Sequence, residues 1–210
     1  MDIEHLKITS STQKYLIEKI KNDEVANSLV VLTDKQKNGV GSRNNSWIGE
    51  DGNLFFSIAI QKKMIPKDIP IQSLSIYFAT IMKNILLHED RNIFIKWPND
   101  FYIFDKKVGG VITSIIRDFV VVGIGINISK SSNFGVLKTE LTNIEIVKKY
   151  IFHITKYPNW KTVFQSYSLE FYKNANFFVN TDNGKKSLKN VKLNFDGSII
   201  LDNQTIFSSR

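Results

Sequence analysis

The segment Ile93-Phe94-Ile95-Lys96-Trp97-Pro98-Asn99-Asp100-Phe101-Tyr102-Ile103-Phe104 places a cluster of polar and rigid residues between two apolar runs. Both runs predict buried strands. Because proline has no backbone N–H and biases the residue before it toward an extended conformation, the first strand should end at Trp97. Polar groups fixed at the end of a rigid strand are a common setting for binding and catalysis. The segment therefore predicts a functional site at a strand end.

The apolar run after this cluster predicts a hairpin. If residues 101–104 pair with residues 107–111, Asp100 lies opposite Val111 and shares one face with Lys107. The two charged residues would then be about 13 Å apart, at about 3.3 Å per residue. A ligand that touches both would have to be elongated. The alternative is an ordinary solvated ion pair beside a turn.

Apolar periodicity along the rest of the chain predicts an α+β fold. The pattern indicates a mixed β-sheet with helices packed on one face, followed by a small β domain. We expect a catalytic or binding domain over residues 1–175 and a β appendage over 176–210, where Asp196-Gly197 is a hairpin signal. Strands are predicted at 5–8, 29–32, 54–60, 93–97, 101–104, 108–116 and 119–126, and helices at 12–22, 69–88, 144–151 and 160–172.

Composition narrows the class of protein. The chain has 210 residues, no cysteine and a net charge of +8. Thiol chemistry is excluded, and the scattered His5, His88 and His153 give no ligand spacing for a transition metal. The chain has no long apolar run and no hydrophobic signal segment at its start, so we expect a cytoplasmic protein that does not enter a membrane. The positive charge also fits a nucleic-acid-binding or scaffold module, although the sequence has no recognised DNA-binding motif.

A glycine-containing segment from Gln36 to Trp47 forms the second candidate site. Gly39 and Gly41 let backbone amides approach an anion closely. Arg43 can bind phosphate oxygens with two hydrogen bonds, and Trp47 can stack on a base. The alternative is a surface loop with turn glycines and one structural tryptophan.

Two further motifs border these sites. Ser10-Ser11-Thr12-Gln13 predicts a helix start, where a hydroxyl or amide not used in capping can face a polar ligand. The segment Val122-Gly123-Ile124-Gly125-Ile126-Asn127 has two of the three glycines of a dinucleotide fingerprint and no helix after it, so a Rossmann site is disfavoured. Its glycines instead leave room for a ligand against a strand.

Taken in order, these motifs resemble the catalytic core of biotin protein ligases. The matching series is S-S-T-Q, Q-x-x-G-x-G-x-R-x-x-x-W, N-L-F-F-S, K-W-P-N-D, K-x-x-G-G-V and G-I-G-I-N, which covers about residues 5–130. The tail, 176–210, resembles a shortened form of the family's C-terminal β-barrel domain. Since the chain starts at the catalytic core, the resemblance implies a monofunctional ligase without the N-terminal DNA-binding domain.

The resemblance also implies an activity. The enzyme would use ATP to convert biotin to biotinyl-5′-AMP and then transfer biotin to a lysine of the biotin carboxyl carrier protein of acetyl-CoA carboxylase. Mg²⁺ would bridge the phosphates with few dedicated protein ligands. Nucleic acid would not be a partner. The family often pairs through its sheet, which makes a homodimer possible, but the sequence does not fix the oligomeric state.

Family motifs assign roles to individual residues. The implied catalytic residues are Lys107, Asp100 and Arg43. The implied biotin-binding residues are Ser11, Thr12, Gln13, Gln36, Gly39, Val40, Gly41, Ser42, Lys107 and Gly110. The implied ATP-binding residues are Arg43, Trp47, Lys96, Asn99, Lys107 and Asn127.

The glycine segment departs from the family in its charge. Val40, Ser42 and Asn45 stand where arginines are usual, which leaves Arg43 alone in that segment. The nearest alternative activity is that of a lipoate ligase or acyltransferase on the same scaffold. K-W-P-N-D together with Gln36 favours the ureido ring of biotin instead.

Overall fold

A computed structural model describes residues 1–41, 46–47, 50–181 and 184–208 of the chain. The described strands, in chain order, are β1 (Asp2–Thr9), β2 (Leu29–Gln36), β3 (Gly39–Val40), β4 (Ser46–Trp47), β5 (Leu54–Gln61), β6 (Ile93–Lys96), β7 (Asp100–Ile103), β8 (Lys106–Ile116), β9 (Phe119–Ile126), β10 (Phe178–Thr181), β11 (Gly184–Ser187), β12 (Lys192–Leu193), β13 (Ile199–Leu201) and β14 (Gln204–Ile206). The helices are α1 (Thr12–Lys21), α2 (Leu74–Leu86), α3 (Asn143–Ile154) and α4 (Trp160–Ser168).

A seven-stranded mixed sheet forms the centre of the molecule, in the order β1-β2-β5-β9-β8-β7-β6. β1 runs parallel to β2, and every other neighbouring pair in this sheet is antiparallel. The central strands β5 and β9 are buried along nearly their whole length. Their near-continuous apolar sequences are typical of strands that are covered on both faces.

The two faces of the sheet have separate hydrophobic cores. On the larger one, residues such as Ile58 and Val122 pack against α2, α3 and α4. On the smaller one, Val31 and Val121 pack against Leu16 of α1. The predicted α+β class with a mixed sheet is confirmed, but the expectation that helices cover only one face was wrong, since α1 lies on the opposite face. Alternate residues of the central strands are apolar on both sides, so both sides require a covering helix.

The C-terminal strands form two small sheets, β10-β11 and β12-β13-β14. Val179, Leu188 and Ile199 from this region belong to the larger core. The indole of Trp160, the first residue of α4, donates a hydrogen bond of 2.7 Å to the carbonyl of Phe195. The C-terminal strands are therefore packed directly onto the main sheet and its helices, and the division of the chain at residues 175 and 176 stays a prediction.

Among the described residues, none of the helices is long and apolar enough to span a membrane.

Candidate functional site

A cavity that is partly open to solvent lies where the start of α1 meets the surface of the sheet. It gathers most of the residues singled out in the sequence, although they are far apart along the chain. The lining residues are Ser11, Thr12, Gln13, Gln36, Val40, Gly41, Trp47, Ser57, Asn99, Asp100, Lys107, Gly110, Val111, Ile112, Gly123, Ile124 and Gly125.

One end of the cavity is polar because α1 begins there. Ser11 is the N-cap, and its hydroxyl accepts a hydrogen bond of 3.4 Å from the backbone N–H of Lys14. Thr12 donates from its backbone N–H to the Gln36 side-chain oxygen over 3.0 Å, and its hydroxyl lies 2.8 Å from the hydroxyl of Ser57. Four of these side chains are buried: Ser11, Thr12, Gln36 and Ser57. The sequence thus produces a small, rigid group of hydroxyls and an amide inside the cavity.

Gln13 adds an unsatisfied acceptor to the same end. Its side-chain N–H donates to the Val121 carbonyl over 3.3 Å, while its Oε1 has no hydrogen-bond partner within the described part of the chain. A Cβ at Gly123 would lie 2.6 Å from that oxygen and would push the glutamine side chain aside. A buried acceptor without a donor costs free energy. A ligand N–H that reached this oxygen would remove the cost.

The other end of the cavity is charged. Lys107 Nζ lies 2.7 Å from Asp100 Oδ1, and the two side chains are 23% and 16% exposed. A Cβ at Gly110 would lie 3.1 Å from the same carboxylate oxygen, so the glycine lets the carboxylate approach the sheet closely. An ammonium and a carboxylate are thereby held together at the edge of a cavity, with limited contact with water.

The separation of about 13 Å expected between Asp100 and Lys107 was wrong. The hairpin turns one residue earlier than expected, because Ile103 pairs with Lys106 and Tyr102 with Lys107. Lys107 is therefore opposite a residue two positions from Asp100 instead of four, about 7 Å at about 3.3 Å per residue, and the long lysine side chain spans the remaining distance. A β-bulge between Phe101 and Tyr102 then pairs Asp100 with Gly110. The alternative of an ordinary surface ion pair does not fit either, because both side chains line the cavity.

Tyr102 lies beside this pair and cannot serve as a base near neutral pH. Burial, with a further contribution from the Asp100 carboxylate, raises the pKa of Tyr102 to about 12. Its hydroxyl is neutral until the solution becomes strongly alkaline. Asp100 and Lys107 are the other titratable side chains at this end of the cavity.

Trp47 forms one side wall of the cavity. It lies in β4, which pairs with β3 so that Trp47 is opposite Gly39. Its indole stacks on Phe134 with ring centroids 6.0 Å apart and an angle of 5° between the planes. Lys107 Nζ lies 5.5 Å from the ring. The indole also covers Gly125, where a Cβ would approach it to 3.0 Å. A flat aromatic surface therefore adjoins the ammonium group.

Asn127 does not line the cavity that contains Asp100 and Lys107. It is buried, and its side chain donates to the Gly135 carbonyl over 3.2 Å. Asn53 accepts hydrogen bonds from the backbone N–H groups of residues 128–130. Together the two asparagines hold the segment that carries Phe134, and Asn127 and Phe134 border a smaller hollow of about 270 Å³. The role supported for Asn127 is to position this wall.

The remaining expectations divide into three groups. Asn99 lines the cavity, and its side-chain N–H donates to the carbonyl of Val111. Gly39 and Lys96 lie outside the lining, and Lys96 Nζ instead lies 5.8 Å from the Tyr102 ring. Ser42 and Arg43 fall outside the described residues.

Sequence reasoning missed four lining residues. Ser57 gave a signal that could have been used, since it is the single hydroxyl in the buried strand Leu54–Gln61. The other three are apolar residues of strands and carry no local signal: Val111, Ile112 and Ile124. Within the parts of the chain that the structure describes, there is no group of three or more His, Asp or Glu side chains able to hold a metal ion.

The sequence model of the Biotin/lipoate A/B protein ligase family matches residues 5–130. The bifunctional ligase/repressor BirA of Bacillus subtilis is 31% identical over 131 residues, which is 60% of this chain and 40% of the relative. The biotin–protein ligase of Homo sapiens is 28% identical over 114 residues, or 50% of this chain and 16% of that protein. The chain thus spans less than half the length of these relatives.

Solved structures match over the whole chain. Biotin acetyl coenzyme A carboxylase synthetase from Helicobacter pylori with bound biotinylated ATP has a TM-score of 0.93 at 32% identity, covering 98% of this chain and 99% of that one. Biotin protein ligase from Aquifex aeolicus in complex with biotin and ATP has a TM-score of 0.74 at 21% identity, covering 100% and 96%. The second match supports the fold alone.

Proposed function

The chain belongs to the biotin/lipoate A/B protein ligase family, and from that premise we propose that it is an ATP-dependent biotin protein ligase. The observation that carries the proposal is the single cavity in which buried hydroxyl and amide groups at the start of α1 face the Lys107 ammonium at the other end. Biotin has the matching distribution of groups, with a hydrogen-bonding ureido ring at one end and a carboxylate at the other.

The polar end of the cavity favours biotin over lipoate. The ureido ring offers two N–H donors and one carbonyl acceptor, which suit Ser11, Thr12, Gln36 and the free oxygen of Gln13. The dithiolane ring of lipoate has none of these groups and would leave the polar side chains unpaired. A site that hydrogen-bonds its ligand rejects an analogue without those groups strongly, because buried polar groups then lose their partners.

The first step would join the two anionic substrates. The biotin carboxylate attacks the α-phosphorus of ATP, a phosphorus–oxygen bond forms, and pyrophosphate leaves. Carboxylate and phosphate repel each other, so Lys107 would leave its contact with Asp100 and neutralise the negative charge that develops between them. Backbone amides of Gly39–Gly41, together with Arg43, would bind phosphate and exclude water.

The second step would transfer biotin to a protein. The amine of an acceptor lysine attacks the acyl carbon of biotinyl-5′-AMP, an amide bond forms and AMP leaves. The amine must lose a proton, and Asp100 is the carboxylate at this end of the cavity that can accept it. The proposed acceptor is the biotin carboxyl carrier protein of acetyl-CoA carboxylase.

The nucleotide would lie next to the Trp47 wall. The indole, stacked on Phe134, offers an aromatic surface on which adenine can stack. ATP would bring Mg²⁺ on its own phosphates, an arrangement that needs few protein carboxylates. Asp100 is the one acidic side chain among the described lining residues, which fits a metal held mainly by the nucleotide.

The proposal is tested by the product formed on an acceptor protein. The purified chain is incubated with a biotin carboxyl carrier domain, ATP, Mg²⁺ and either biotin or lipoate, and the mass of the acceptor is measured. We expect one biotinyl group on one lysine and no lipoyl group. A lipoylated acceptor with no biotinylated one would overturn the choice of substrate, and an unmodified acceptor in both reactions would overturn the enzymatic assignment.

A further inference from the structure

The turn that precedes Asp100 is held from outside the main sheet. Trp97, the residue before Pro98, is 1% exposed, and its indole N–H donates a hydrogen bond of 2.9 Å to the carbonyl of Gly197. Gly197 lies in the turn before β13. Gly197 has φ of +80°, and a Cβ there would meet the Ser73 hydroxyl at 2.4 Å. Both its conformation and its surroundings therefore require glycine at the point that accepts the indole.

A buried asparagine makes a second connection to the same turn. Asn174, in the short helix Phe171–Asn176 before β10, is 0% exposed. Its side-chain oxygen accepts a hydrogen bond of 2.7 Å from the backbone N–H of Trp97. Its N–H₂ group donates to the carbonyls of Ile95 and Phe171, over 3.2 and 3.1 Å. One side chain thus ties the last residues of β6 to the start of the C-terminal segment.

The inner side of the turn is fixed by the neighbouring strand. The backbone N–H of Val111 in β8 donates to the Asn99 carbonyl over 3.0 Å, and the Asn99 side chain donates to the Val111 carbonyl. The turn is therefore held between β8 on one side and two C-terminal contacts on the other. Asp100 follows directly, and its carboxylate forms the charged end of the cavity.

We infer that Trp97 and Asn174 are positioning residues through which the chain from Phe171 onward sets the place of the Asp100 carboxylate and thereby the rate of the acceptor-lysine step. The inference rests on the proposed function, in which Asp100 receives the proton from that lysine. Biotin activation depends on Lys107 and on the α1 end of the cavity, which these two contacts do not touch. Loss of either contact should therefore slow transfer more than activation.

A purely structural role predicts a different result, and the chain contains matched controls for it. Trp160 is also 1% exposed and also donates its indole N–H to a carbonyl of the C-terminal region, that of Phe195. Asn194 is a C-terminal asparagine whose side chain donates to the Ser198 hydroxyl over 3.0 Å. Neither control residue contacts the turn before Asp100. The variant pairs are Trp97→Phe with Trp160→Phe, and Asn174→Ala with Asn194→Ala.

The experiment measures the two half-reactions separately in each full-length variant. Biotin-dependent exchange of labelled pyrophosphate into ATP reports activation, and biotinylation of the carrier domain reports transfer. For Trp97→Phe and Asn174→Ala we expect a transfer kcat about 10- to 100-fold lower, the scale of a displaced catalytic group. Exchange and the KM for biotin should stay within about threefold of the unmodified chain, and the control variants should keep the normal ratio of transfer to exchange.

Amide hydrogen exchange supplies a readout that does not need activity. The backbone amide of residue 97 should exchange faster in Asn174→Ala and in Trp97→Phe than in either control. In each of these two variants the turn has lost one of its hydrogen bonds to the C-terminal part of the chain. Equal losses of both half-reactions, or equal amide exchange in all four variants, would overturn the inference. An unmodified chain without pyrophosphate exchange would contradict the proposed function instead, while the amide measurement would still decide whether the C-terminal contacts hold the turn.

Discussion

Replacing Lys107 with methionine removes the ammonium group at the charged end of the cavity and keeps a side chain of similar length. The ammonium lies 2.7 Å from Asp100 Oδ1 and 5.5 Å from the Trp47 ring. Methionine can keep the contact with the indole but cannot neutralise an anion. The change therefore separates the charge of Lys107 from its packing.

The cost in stability follows from the exposure of the ion pair. With side chains 23% and 16% exposed, the pair lies between a surface salt bridge, worth about 0–1 kcal/mol, and a buried one, whose disruption costs about 3–5 kcal/mol. We therefore expect a loss of about 1–2 kcal/mol. For a chain of this size that corresponds to a fall in Tm of about 2–8 °C, so the variant should remain folded at 25 °C.

The cost in activity should be larger. Removing one preorganised group that stabilises charge in a transition state typically lowers kcat by about 10²–10³. We expect a loss of that size in biotin-dependent pyrophosphate exchange. Lys106→Met is the matched control, because Lys106 is an exposed lysine on the same strand and its loss changes the net charge equally.

Thermal unfolding and pyrophosphate exchange are measured on both variants and on the unmodified chain. The reasoning is refuted if Lys107→Met keeps more than a tenth of the normal exchange rate. It is equally refuted if Lys106→Met loses as much activity as Lys107→Met, since the effect would then come from net charge.

Three further changes test the packing. Gly125→Ala puts a Cβ 3.0 Å from the Trp47 indole, so it should displace the ring and shift tryptophan emission to the red; unchanged emission would contradict the contact, since the other two tryptophans are buried. Gly109→Ala puts a Cβ 2.6 Å from the Gly125 carbonyl, and should lower the free energy of unfolding in urea by about 1–3 kcal/mol. Glu170→Gln removes the negative charge beside the Lys83 ammonium, which is 3% exposed, and should cost about 3 kcal/mol at pH 7.

The same glutamate predicts a pH dependence. Burial opposes ionisation of Glu170, but hydrogen bonds and charge from Lys83 and Lys173 outweigh burial and lower its pKa below the ordinary value of 4.5. A carboxyl group with a lowered pKa in the folded state stabilises the fold above its unfolded pKa, and the contribution is lost as pH falls through the folded value. Tm should therefore fall more steeply between about pH 5 and pH 3 in the unmodified chain than in Glu170→Gln. Parallel curves would contradict this account.

Local sequence predicted the sheet well because its strands carry strong signals. The apolar runs at 29–32, 54–60 and 119–126 lie in β2, β5 and β9, and the cap at Ser11 does begin α1. The cavity could be anticipated in part because its polar residues lie next to glycines and strand ends, where side chains of different strands converge.

What the sequence could not supply is information carried by contacts between distant segments. The position of the turn between β7 and β8 depends on how the two strands pair, and it brought Asp100 and Lys107 together. The side of the sheet on which α1 packs depends on which face the other helices leave open. Asn174 is the clearest example. Its proposed role in positioning the turn follows only from its contact with Trp97, 77 positions earlier in the chain.

The most direct test of the account is exchange of labelled pyrophosphate into ATP by the purified chain, with biotin, with lipoate and with neither. The account predicts exchange that requires biotin and disappears in Lys107→Met, because the carboxylate and the α-phosphate must meet at that ammonium. Exchange supported by lipoate and not by biotin, or exchange that survives loss of the ammonium, would contradict it.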